Sequence, residues 1–444
     1  MQPNGDNARG SARRNGQAAA GLVNRRASQR AVAVGALPDT GGGDPLAELK
    51  ELLRTAGVAT AGEMVQQREM PDPNTYLGKG KITELKAEIA RSGANLVATD
   101  DELEPRQERN LEKELGVPVI DRTAVILDIF ADHANSAEGK LQVELAQLEY
   151  NLARMRGLWD HLERLGAGRM DGGIGTRGPG ESQIETDRRL ARDRITALRR
   201  RLERLGRNRG LMRSERTRAA LPTIALAGYT NAGKSSLMNS LTDAGVGVGE
   251  RLFHTLDPTT RALTYEGRRL LLTDTVGFIR KLPHTLVEAF KATLEETVLA
   301  DLILHVVDGS EPEAHCLEAI ASADEALEEI GAGEKPRVLA LNKIDMLEGE
   351  ERAELAFRHP DGLLVSAQTG EGLGDLARAL AQAATRELRE IELLVPYEDG
   401  ARLSELHRVA GDLEREDRPE GVVVRARVSG EVAERYADLA RRGG

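Results

Sequence analysis

From Pro45 onward, the spacing of apolar residues predicts a series of short helices and strands. Four leucines that share one helical face open the series: Leu46, Leu49, Leu52 and Leu53. The predicted strands are Glu63–Arg68, Asn95–Thr99 and Val117–Asp121, and the predicted helices are Ile82–Ala90, Pro105–Leu115 and Ala124–Ala131. This alternation favours a small parallel sheet covered by helices. Residues 1–44 lack hydrophobic periodicity, and we predict a disordered tail there.

Two long helical patterns follow, Ala137–Leu165 and Ser182–Arg209. Steps of four and three residues between apolar positions are typical of a helix that packs along another helix. We therefore predict a helical hairpin. The loop Gly166–Gly180 contains a literal G-x-G-x-x-G at Gly173–Gly178, but a helix precedes it and not a strand. We interpret it as a mobile glycine loop and not as a dinucleotide site.

The remaining pattern completes an α/β fold class: a domain with a mostly parallel sheet and helices on both faces, an N-terminal α/β domain with a long helical hairpin, and a small C-terminal α+β domain. The C-terminal stretch predicts strand, helix, strand and helix at Ile391–Leu394, Ala401–Val409, Gly421–Val428 and Val432–Ala440. The predicted divisions are a tail at 1–44, an α/β subdomain at 45–135, a helical hairpin at 136–212, a larger α/β domain at 221–390 and a C-terminal domain at 391–444.

Composition narrows the class of protein. The chain has 444 residues, of which 40% are hydrophobic and 30% charged, as in soluble globular proteins. We see no apolar run long enough to span a membrane and no secretory signal. The single cysteine, Cys316, excludes an internal disulfide and is read as a free thiol. These features predict a cytoplasmic protein, and we expect a monomer.

Arginine is concentrated in Arg188–Arg218 although the net charge is −11. The arginines are Arg188, Arg189, Arg192, Arg194, Arg199, Arg200, Arg201, Arg204, Arg207, Arg209, Arg213, Arg216 and Arg218. A basic segment in an acidic protein is typical of a nucleic-acid contact. A solvated helix face with ion pairs, for instance Glu203 with Arg207, is the interpretation that the residues alone favour.

A strand followed by a glycine-rich loop is the clearest chemical signal. Thr223–Ala227 is apolar, and a complete G-x-x-x-x-G-K-S follows at Gly228–Ser235. Such a loop points backbone N–H groups at a β-phosphate, and the next helix adds its positive N-terminus. We expect Lys234 to bind β- and γ-phosphate oxygens and the Ser235 hydroxyl to ligate Mg²⁺. The predicted nucleotide contacts are Gly228, Tyr229, Thr230, Asn231, Ala232, Gly233, Lys234, Ser235 and Ser236.

The next element is a nucleotide switch. A G domain uses a threonine to complete the Mg²⁺ shell when the γ-phosphate is present. We predict Thr255 for this role, with Thr259 and Thr260 as rivals. We read His254 as an exposed residue with no catalytic duty. The predicted nucleotide contacts around the switch threonine are Phe253, His254, Leu256 and Asp257.

A third element follows the strand Leu270–Thr273. Asp274 is predicted to hold Mg²⁺ through its water shell, and the Gly277 amide to sense the γ-phosphate. Phe278 stands where Ras-like enzymes carry a water-orienting glutamine, so we expect slow intrinsic hydrolysis and a water-positioning group from elsewhere. The predicted nucleotide contacts here are Thr273, Asp274, Thr275, Val276 and Gly277. The predicted catalytic residues are Lys234, Thr255 and Gly277, and the predicted metal ligands are Ser235, Thr255 and Asp274.

Two last motifs select the base. The strand Val338–Leu341 leads into an N-K-x-D sequence that ends at Asp345. A carboxylate there accepts hydrogen bonds from N1–H and the N2 amine of guanine, and adenine offers neither group. The backbone N–H of Ala367 is expected to contact guanine O6. The predicted base contacts are Asn342, Lys343, Ile344, Asp345, Ser366, Ala367 and Gln368. Five elements in this order predict that residues 221–390 form a P-loop G domain, a GTPase with Mg²⁺ and bound GTP or GDP.

Around these motifs, the chain from about Leu46 to Gly444 resembles the HflX family of GTPases. The resemblance rests on Tyr76–Lys81, Asp121–Thr123, Glu138–Leu148, Gly172–Glu181, Thr255–Arg261 and Asp274–Arg280. HflX-like proteins bind the large ribosomal subunit and split stalled ribosomes. The resemblance implies that the Gly166–Gly180 loop enters ribosomal RNA and that the arginine-rich arm contacts phosphates. It also implies Mg²⁺ ligation by Ser235 and Thr255 and stimulation of hydrolysis by the ribosome.

We therefore predict an enzyme that hydrolyses GTP to GDP and phosphate, binds the large ribosomal subunit, and acts in ribosome dissociation, rescue or recycling under the control of GTP. One alternative is an NTP-dependent, helicase-like RNA-remodelling protein with a second nucleotide near Gly78–Lys81. Another is a nucleotide-gated adaptor without turnover, which Phe278 favours.

Overall fold

The computed structural model describes residues 29–37, 44–166, 179–218, 221–242, 252–253, 258–281, 294, 296–385, 389–409, 413–428, 433 and 435–439. The predictions for residues 254–257 and for the loop 167–178 lie outside this part of the chain. Contacts divide the chain into two units. One comprises residues 1–132 and 147–191, and the other comprises residues 133–146 and 192–444. The domain boundaries predicted above stay predictions.

The first unit contains a parallel sheet with the strand order β2-β1-β3-β4. The strands are β1 (Arg30–Leu37), β2 (Ala59–Gln67), β3 (Leu96–Thr99) and β4 (Val119–Asp121). The helices are α1 (Ala47–Thr55), α2 (Lys79–Ser92), α3 (Pro105–Leu115) and α4 (Arg122–His133). The β-α alternation predicted from the sequence is confirmed, and α3 has the predicted bounds.

Strand β1 corrects the prediction of a disordered tail through residue 44, which is wrong from Arg30 to Leu37. Six consecutive residues of β1 are buried, and the strand lies between β2 and β3. A central parallel strand is covered on both faces, so it shows a continuous apolar run and no alternation. The run here consists of alanine, valine and glycine, a composition that resembles the preceding segment.

Two long helices follow, α5 (Ala137–Gly166) and α6 (Pro179–Arg218). Leu141 and Leu145 of α5 and Ile195 and Leu198 of α6 are buried. A salt bridge of 2.7 Å joins Arg194 of α6 to Glu144 of α5. Helix α6 extends beyond the predicted range at both ends, and arginine, a good helix former even without an apolar face, is frequent in its C-terminal extension. No helix in the described part of the chain has an apolar stretch that could cross a bilayer.

The second unit contains a sheet with the strand order β10-β9-β8-β5-β7-β6, in which only β6 runs antiparallel to its neighbour. The strands are β5 (Thr223–Gly228), β6 (Thr259–Tyr265), β7 (Arg268–Asp274), β8 (Leu302–Asp308), β9 (Arg337–Asn342) and β10 (Gly362–Leu364). The helices are α7 (Lys234–Thr242), α8 (Glu313–Glu329), α9 (Gly349–Arg358) and α10 (Leu373–Thr385). The predicted α/β fold class is confirmed.

Strand β8 shows why this sheet carries helices on both faces. Its residues are almost continuously buried. Leu304 and Val306 belong to a core that includes residues of α7 and α10. Ile303 packs with residues of α8, and Val307 packs with residues of α8 and α9. Successive side chains point to opposite faces, so each face of the central strand needs its own helical cover.

Residues 389–428 form a separate antiparallel sheet with the strand order β11-β13-β12. Its elements are β11 (Arg389–Val395), α11 (Gly400–Val409), β12 (Leu413–Arg418) and β13 (Gly421–Val428). Strand β12 was not predicted. Its sequence LEREDR is mostly exposed, so it lacks the apolar alternation that reveals a half-buried strand. Charged side chains are typical of a sheet edge.

Candidate nucleotide-binding site

The predicted motifs follow the carboxyl ends of adjacent strands. The P-loop begins at the end of β5, Asp274 ends β7 and Asn342 ends β9. Because β7, β5, β8 and β9 are parallel neighbours, these ends meet at one edge of the sheet. Doubly wound sheets bind ligands at this edge. The fold therefore brings together motifs that are far apart in the sequence.

The glycines of the P-loop permit close backbone contacts. Gly233 has a φ of +91°, and a Cβ atom there would lie 2.3 Å from Nδ2 of Asn342. That Asn342 nitrogen donates to the carbonyl oxygen of Ala232 at 2.9 Å. Asn231 also has a positive φ, of 63°. Left-handed conformations at Asn231 and Gly233 are compatible with a loop that curls around a phosphate group, as the motif predicts.

Lys234 is buried at the start of α7, with 7% of its surface exposed. Its amine donates to the carbonyl oxygens of Gly228 at 3.1 Å and Tyr229 at 2.8 Å. Burial lowers the pKa of Lys234 to about 8, and the nearby Asp274 carboxylate opposes this effect. A buried ammonium with carbonyl partners alone is well placed to gain an anionic ligand.

Ser235 and Asp274 lie side by side. The Ser235 hydroxyl donates to Oδ2 of Asp274 at 2.6 Å. Asp274 is fully buried, and its Oδ1 has no hydrogen-bond partner among the described residues. Leaving a carboxylate oxygen buried without a donor is costly unless a cation is nearby. The serine and aspartate therefore fit a divalent cation with oxygen ligands.

The pairing of strands β6 and β7 fixes the positions of Thr259 and Thr260, the two alternative candidates for the switch threonine. Thr259 pairs with Asp274 and Thr260 with Thr273 in the antiparallel register. The hydroxyls of Thr260 and Thr273 are 3.0 Å apart, so both side chains are engaged within the sheet. Thr255 lies outside the described residues, and its role stays a prediction.

The segment after Asp274 lies against the P-loop. The Thr275 hydroxyl donates to the Leu226 carbonyl oxygen at 2.6 Å, which turns this side chain toward the core. A Cβ atom on Gly277 would lie 2.8 Å from Nζ of Lys234 and 3.0 Å from Cα of Thr230. The Gly277 backbone therefore approaches the lysine that is predicted to bind phosphate oxygens, as a γ-phosphate sensor must.

Tyr229 adds a contact that the sequence did not reveal. Its hydroxyl accepts a hydrogen bond from the backbone N–H of Arg280 at 2.8 Å. An isolated parallel bridge also pairs Tyr229 with Phe278. A tyrosine beside the first P-loop glycine was a possible signal, but its partner lies about fifty residues away in the chain.

At the base-recognition motifs, Asn342 connects two loops. Besides its bond to Ala232, its Oδ1 accepts the N–H of Ala367 at 3.0 Å. The predicted contact of this N–H with guanine O6 stays a prediction, and it requires a shared hydrogen bond. Ser366 is fully buried and donates to Oδ1 of Asp345 at 2.6 Å. The serine therefore orients the carboxylate that is predicted to select the base.

Asp308, at the end of β8, is a further residue that sequence reasoning missed. Its carboxylate forms a 2.5 Å ion pair with Lys343. Lys343 has a positive φ of 66°, so its backbone is strained. The ion pair helps to hold the lysine of the N-K-x-D motif in place. An acidic residue at the end of a buried strand beside the P-loop strand was the available signal.

Three family models match successive parts of the chain. The GTP-binding GTPase N-terminal family matches residues 43–131 and the GTP-binding GTPase middle region matches residues 133–216. The family described as 50S ribosome-binding GTPase matches residues 223–343. These matches cover strands β2 to β4 of the first sheet, most of the two long helices and strands β5 to β9 of the second sheet.

Individual proteins are similar over most of their length. The chain is 46% identical over 397 residues to GTPase HflX of Lacrimispora saccharolytica, covering 89% of this chain and 92% of that protein. It is 45% identical over 369 residues to GTPase HflX of Escherichia coli, covering 82% and 85%. The crystal structure of a GTP-binding protein from Sulfolobus solfataricus in complex with GDP is 27% identical, covering 81% and 99%, with a TM-score of 0.41.

Proposed function

The chain belongs to the HflX family of GTPases and is a GTP-binding, GTP-hydrolysing enzyme, and on that premise we propose that it binds the large ribosomal subunit and promotes ribosome dissociation, rescue or recycling in a GTP-controlled manner. The match of residues 223–343 to the family described as 50S ribosome-binding GTPase is the observation that carries this proposal.

The surface of α6 supports an RNA partner. Ala191, Ile195 and Leu198 are buried and form one face of the helix. The exposed arginines on the remaining surface are Arg189, Arg192, Arg194, Arg199, Arg200, Arg201 and Arg204. Among the described residues, Arg200 and Arg201 form no ion pair, in contrast to Arg194. Ion pairs on a solvated helix face therefore do not explain these two arginines. Arginines in this arrangement suit phosphate groups.

Each motif has an assigned task in this proposal. Lys234 binds the β- and γ-phosphate oxygens in exchange for its bonds to the P-loop carbonyls. Asp345, oriented by Ser366, accepts hydrogen bonds from guanine. The Gly277 amide responds to the γ-phosphate. Asn342 holds the P-loop and the Ala367 loop in register, so that base and phosphates are bound together.

The residues present also fit Mg²⁺. The Ser235 hydroxyl and the buried Asp274 carboxylate are the described residues that would hold it, with Thr255 as the predicted third ligand. When bound, the ion neutralises charge on the β- and γ-phosphates. Mg²⁺ prefers such oxygen ligands and usually retains waters, which matches a site with few protein ligands.

Hydrolysis needs a group that orients the attacking water. Phe278 occupies the position after Gly277, and 1% of its surface is exposed. A buried phenyl ring neither donates nor accepts a proton, so the orienting group comes from elsewhere. We assign it to the ribosomal complex, which makes turnover depend on the partner.

The test measures GTP turnover and co-sedimentation with purified large subunits, using the full chain. We expect stimulation by the subunits, loss of it in Lys234→Ala, and co-sedimentation with a non-hydrolysable GTP analogue. The double variant Arg200→Glu and Arg201→Glu should weaken binding about tenfold or more, because reversed charges repel phosphates. Arg378→Glu, an exposed arginine on α10, is the matched control. Absence of stimulation and of co-sedimentation would refute the ribosomal role.

A further inference from the structure

A turn at the end of strand β8 engages both oxygens of the Asp308 carboxylate. Oδ2 lies 2.5 Å from the ammonium nitrogen of Lys343. Oδ1 accepts the hydroxyl of Ser310 at 2.5 Å and the Ser310 N–H at 3.0 Å. The Asp308 side chain is therefore fixed against rotation, and Ser310 acts on Lys343 through it.

The backbone of this turn is held on both sides. Asp308 pairs with Asn342 where strands β8 and β9 end. The Gly309 N–H donates to the carbonyl oxygen of Asn342 at 2.8 Å. The buried thiol of Cys316, on α8, donates to the carbonyl oxygen of Asp308 at 3.2 Å. The carboxylate is thus presented from a strand end whose neighbours fix its place.

Lys343 is the side chain that this turn orders. It directly follows Asn342, whose amide bonds to the P-loop, and it stands two residues before Asp345. A lysine has a long flexible stem, and ordering such a stem costs more conformational entropy than ordering most side chains. The side chains of Lys343 and Asp308 are only 26% and 17% exposed, so water screens their ion pair weakly. Contacts within the protein itself therefore order the stem.

We propose that Asp308 and Ser310 are positioning residues for nucleotide binding, which hold Lys343 in the conformation that contacts the nucleotide. A side chain that the protein has already ordered loses less entropy on binding, and the affinity rises accordingly. Lys343 belongs to the base-recognition motif, so GTP and GDP gain equally and the chemical step is unaffected. This inference rests on the predicted contact of Lys343 with the nucleotide, and it is independent of the ribosomal proposal.

The test uses the full chain without ribosomes and measures affinities for GDP and a non-hydrolysable GTP analogue. It also measures the single-turnover rate at saturating GTP, and thermal unfolding checks folding. Asp308→Asn removes the charge and keeps an oxygen for Ser310, whereas Ser310→Ala keeps the charge and frees the carboxylate. Lys343→Met keeps an unbranched stem without the ammonium group, and it is made alone and together with Asp308→Asn. Asp375→Asn is the matched control, because Asp375 forms an exposed ion pair with Arg378 on α10.

We expect Asp308→Asn to weaken binding of both nucleotides about three- to tenfold, and Ser310→Ala about two- to threefold. The single-turnover rate should stay within about twofold of wild type, so that KM rises while kcat does not. In the Lys343→Met background, Asp308→Asn should change the affinities by less than about twofold, because no ammonium group remains to be held. Asp375→Asn should behave as wild type.

Additive losses in the double variant would show that Asp308 acts independently of Lys343, and would overturn the proposal. A lower unfolding midpoint together with slower hydrolysis in Asp308→Asn would show a merely structural role and overturn it too. If Lys343→Met weakens binding and Asp308→Asn does not, the positioning role fails while the contact of Lys343 stands. If Lys343→Met leaves both affinities unchanged, the predicted contact fails, and this inference fails with it. Failure of ribosome binding would leave these values unaffected.

Discussion

The backbone N–H of Phe278 donates to the carbonyl oxygen of Gly228 at 3.0 Å. The Phe278 carbonyl oxygen in turn accepts the N–H of Thr230 at 2.8 Å. Its side chain packs into a buried cluster with Leu294 and Ile303. Two backbone bonds and a buried ring therefore fix residue 278 to the P-loop. The residue that follows Gly277 serves as an anchor in this protein, and its side chain points into the core.

This anchoring predicts that Phe278→Gln does not restore Ras-like hydrolysis. The new amide would be buried among apolar side chains, so we expect a loss of about 2–4 kcal/mol in the free energy of unfolding. Intrinsic single-turnover hydrolysis should not rise. Phe278→Leu is the control, which keeps an apolar side chain and should cost less. A clear acceleration of hydrolysis in Phe278→Gln would contradict a fixed residue 278.

Gly277→Ala should impair hydrolysis by crowding. The added methyl group would lie 2.8 Å from Nζ of Lys234 and 3.0 Å from Cα of Thr230, and the second contact is with backbone that does not yield easily. We expect turnover to fall about 10- to 100-fold, because the lysine and the amide near the γ-phosphate are displaced. GDP affinity should change less. Gly374→Ala on α10, where an added Cβ meets nothing within 4 Å, is the control. Normal turnover in Gly277→Ala would show that this backbone moves freely.

Ser366→Ala should weaken guanine recognition although Ser366 lies beside Asp345 and not in the N-K-x-D motif. Its hydroxyl donates to Asp345 and accepts the N–H groups of Gln368 at 3.2 Å and Thr369 at 3.0 Å. Removing it leaves the carboxylate without an orienting donor. We expect both GTP and GDP to bind about 5- to 20-fold more weakly, and the preference over ATP to shrink.

Ser240→Ala controls for this experiment. The Ser240 hydroxyl donates to the Ala367 carbonyl oxygen at 2.7 Å, so it contacts the same loop, and no bond joins it to the Asp345 carboxylate. Its removal should leave affinities within about twofold of wild type. Competition titrations with GTP, GDP and ATP measure both variants. Equal losses in the two variants would indicate a general weakening of the loop.

Local motifs were predictable because their chemistry depends on spacing along the chain. The P-loop glycines and the strand before them indicate a phosphate-binding site. The contacts that assemble the site were not predictable. Asn342 bonds to Ala232 from 110 residues away, and His133 contacts Phe253 from 120 residues away. Both contacts depend on tertiary structure, which no local pattern encodes, and the first follows from the order of strands in the sheet.

Strands β1 and β12 are absent from the sequence prediction for opposite reasons. Strand β1 is so fully buried that its small apolar residues show no alternation. Strand β12 is so exposed that charged residues occupy most of its positions. An alternation of apolar and polar residues requires one buried and one solvent-exposed face, and neither strand has both. Each is defined by its neighbours in the sheet, through pairing with β2 and β3 or with β13.

The stability of the protein without nucleotide should depend on pH through Lys234. Its pKa is lowered to about 8 in the folded state, against 10.5 for an ordinary lysine. Between these values the unfolded chain binds more protons than the folded protein, so stability rises with pH. We expect the free energy of unfolding to increase by about 1–2 kcal/mol from pH 8 to pH 9.5.

Denaturant titrations of wild type and Lys234→Met measure this increase by difference, and the variant should lack it. Saturating GTP should also abolish it, because phosphate groups favour the charged amine and return its pKa toward the unfolded value. A parallel pH dependence in Lys234→Met would assign the effect to another group.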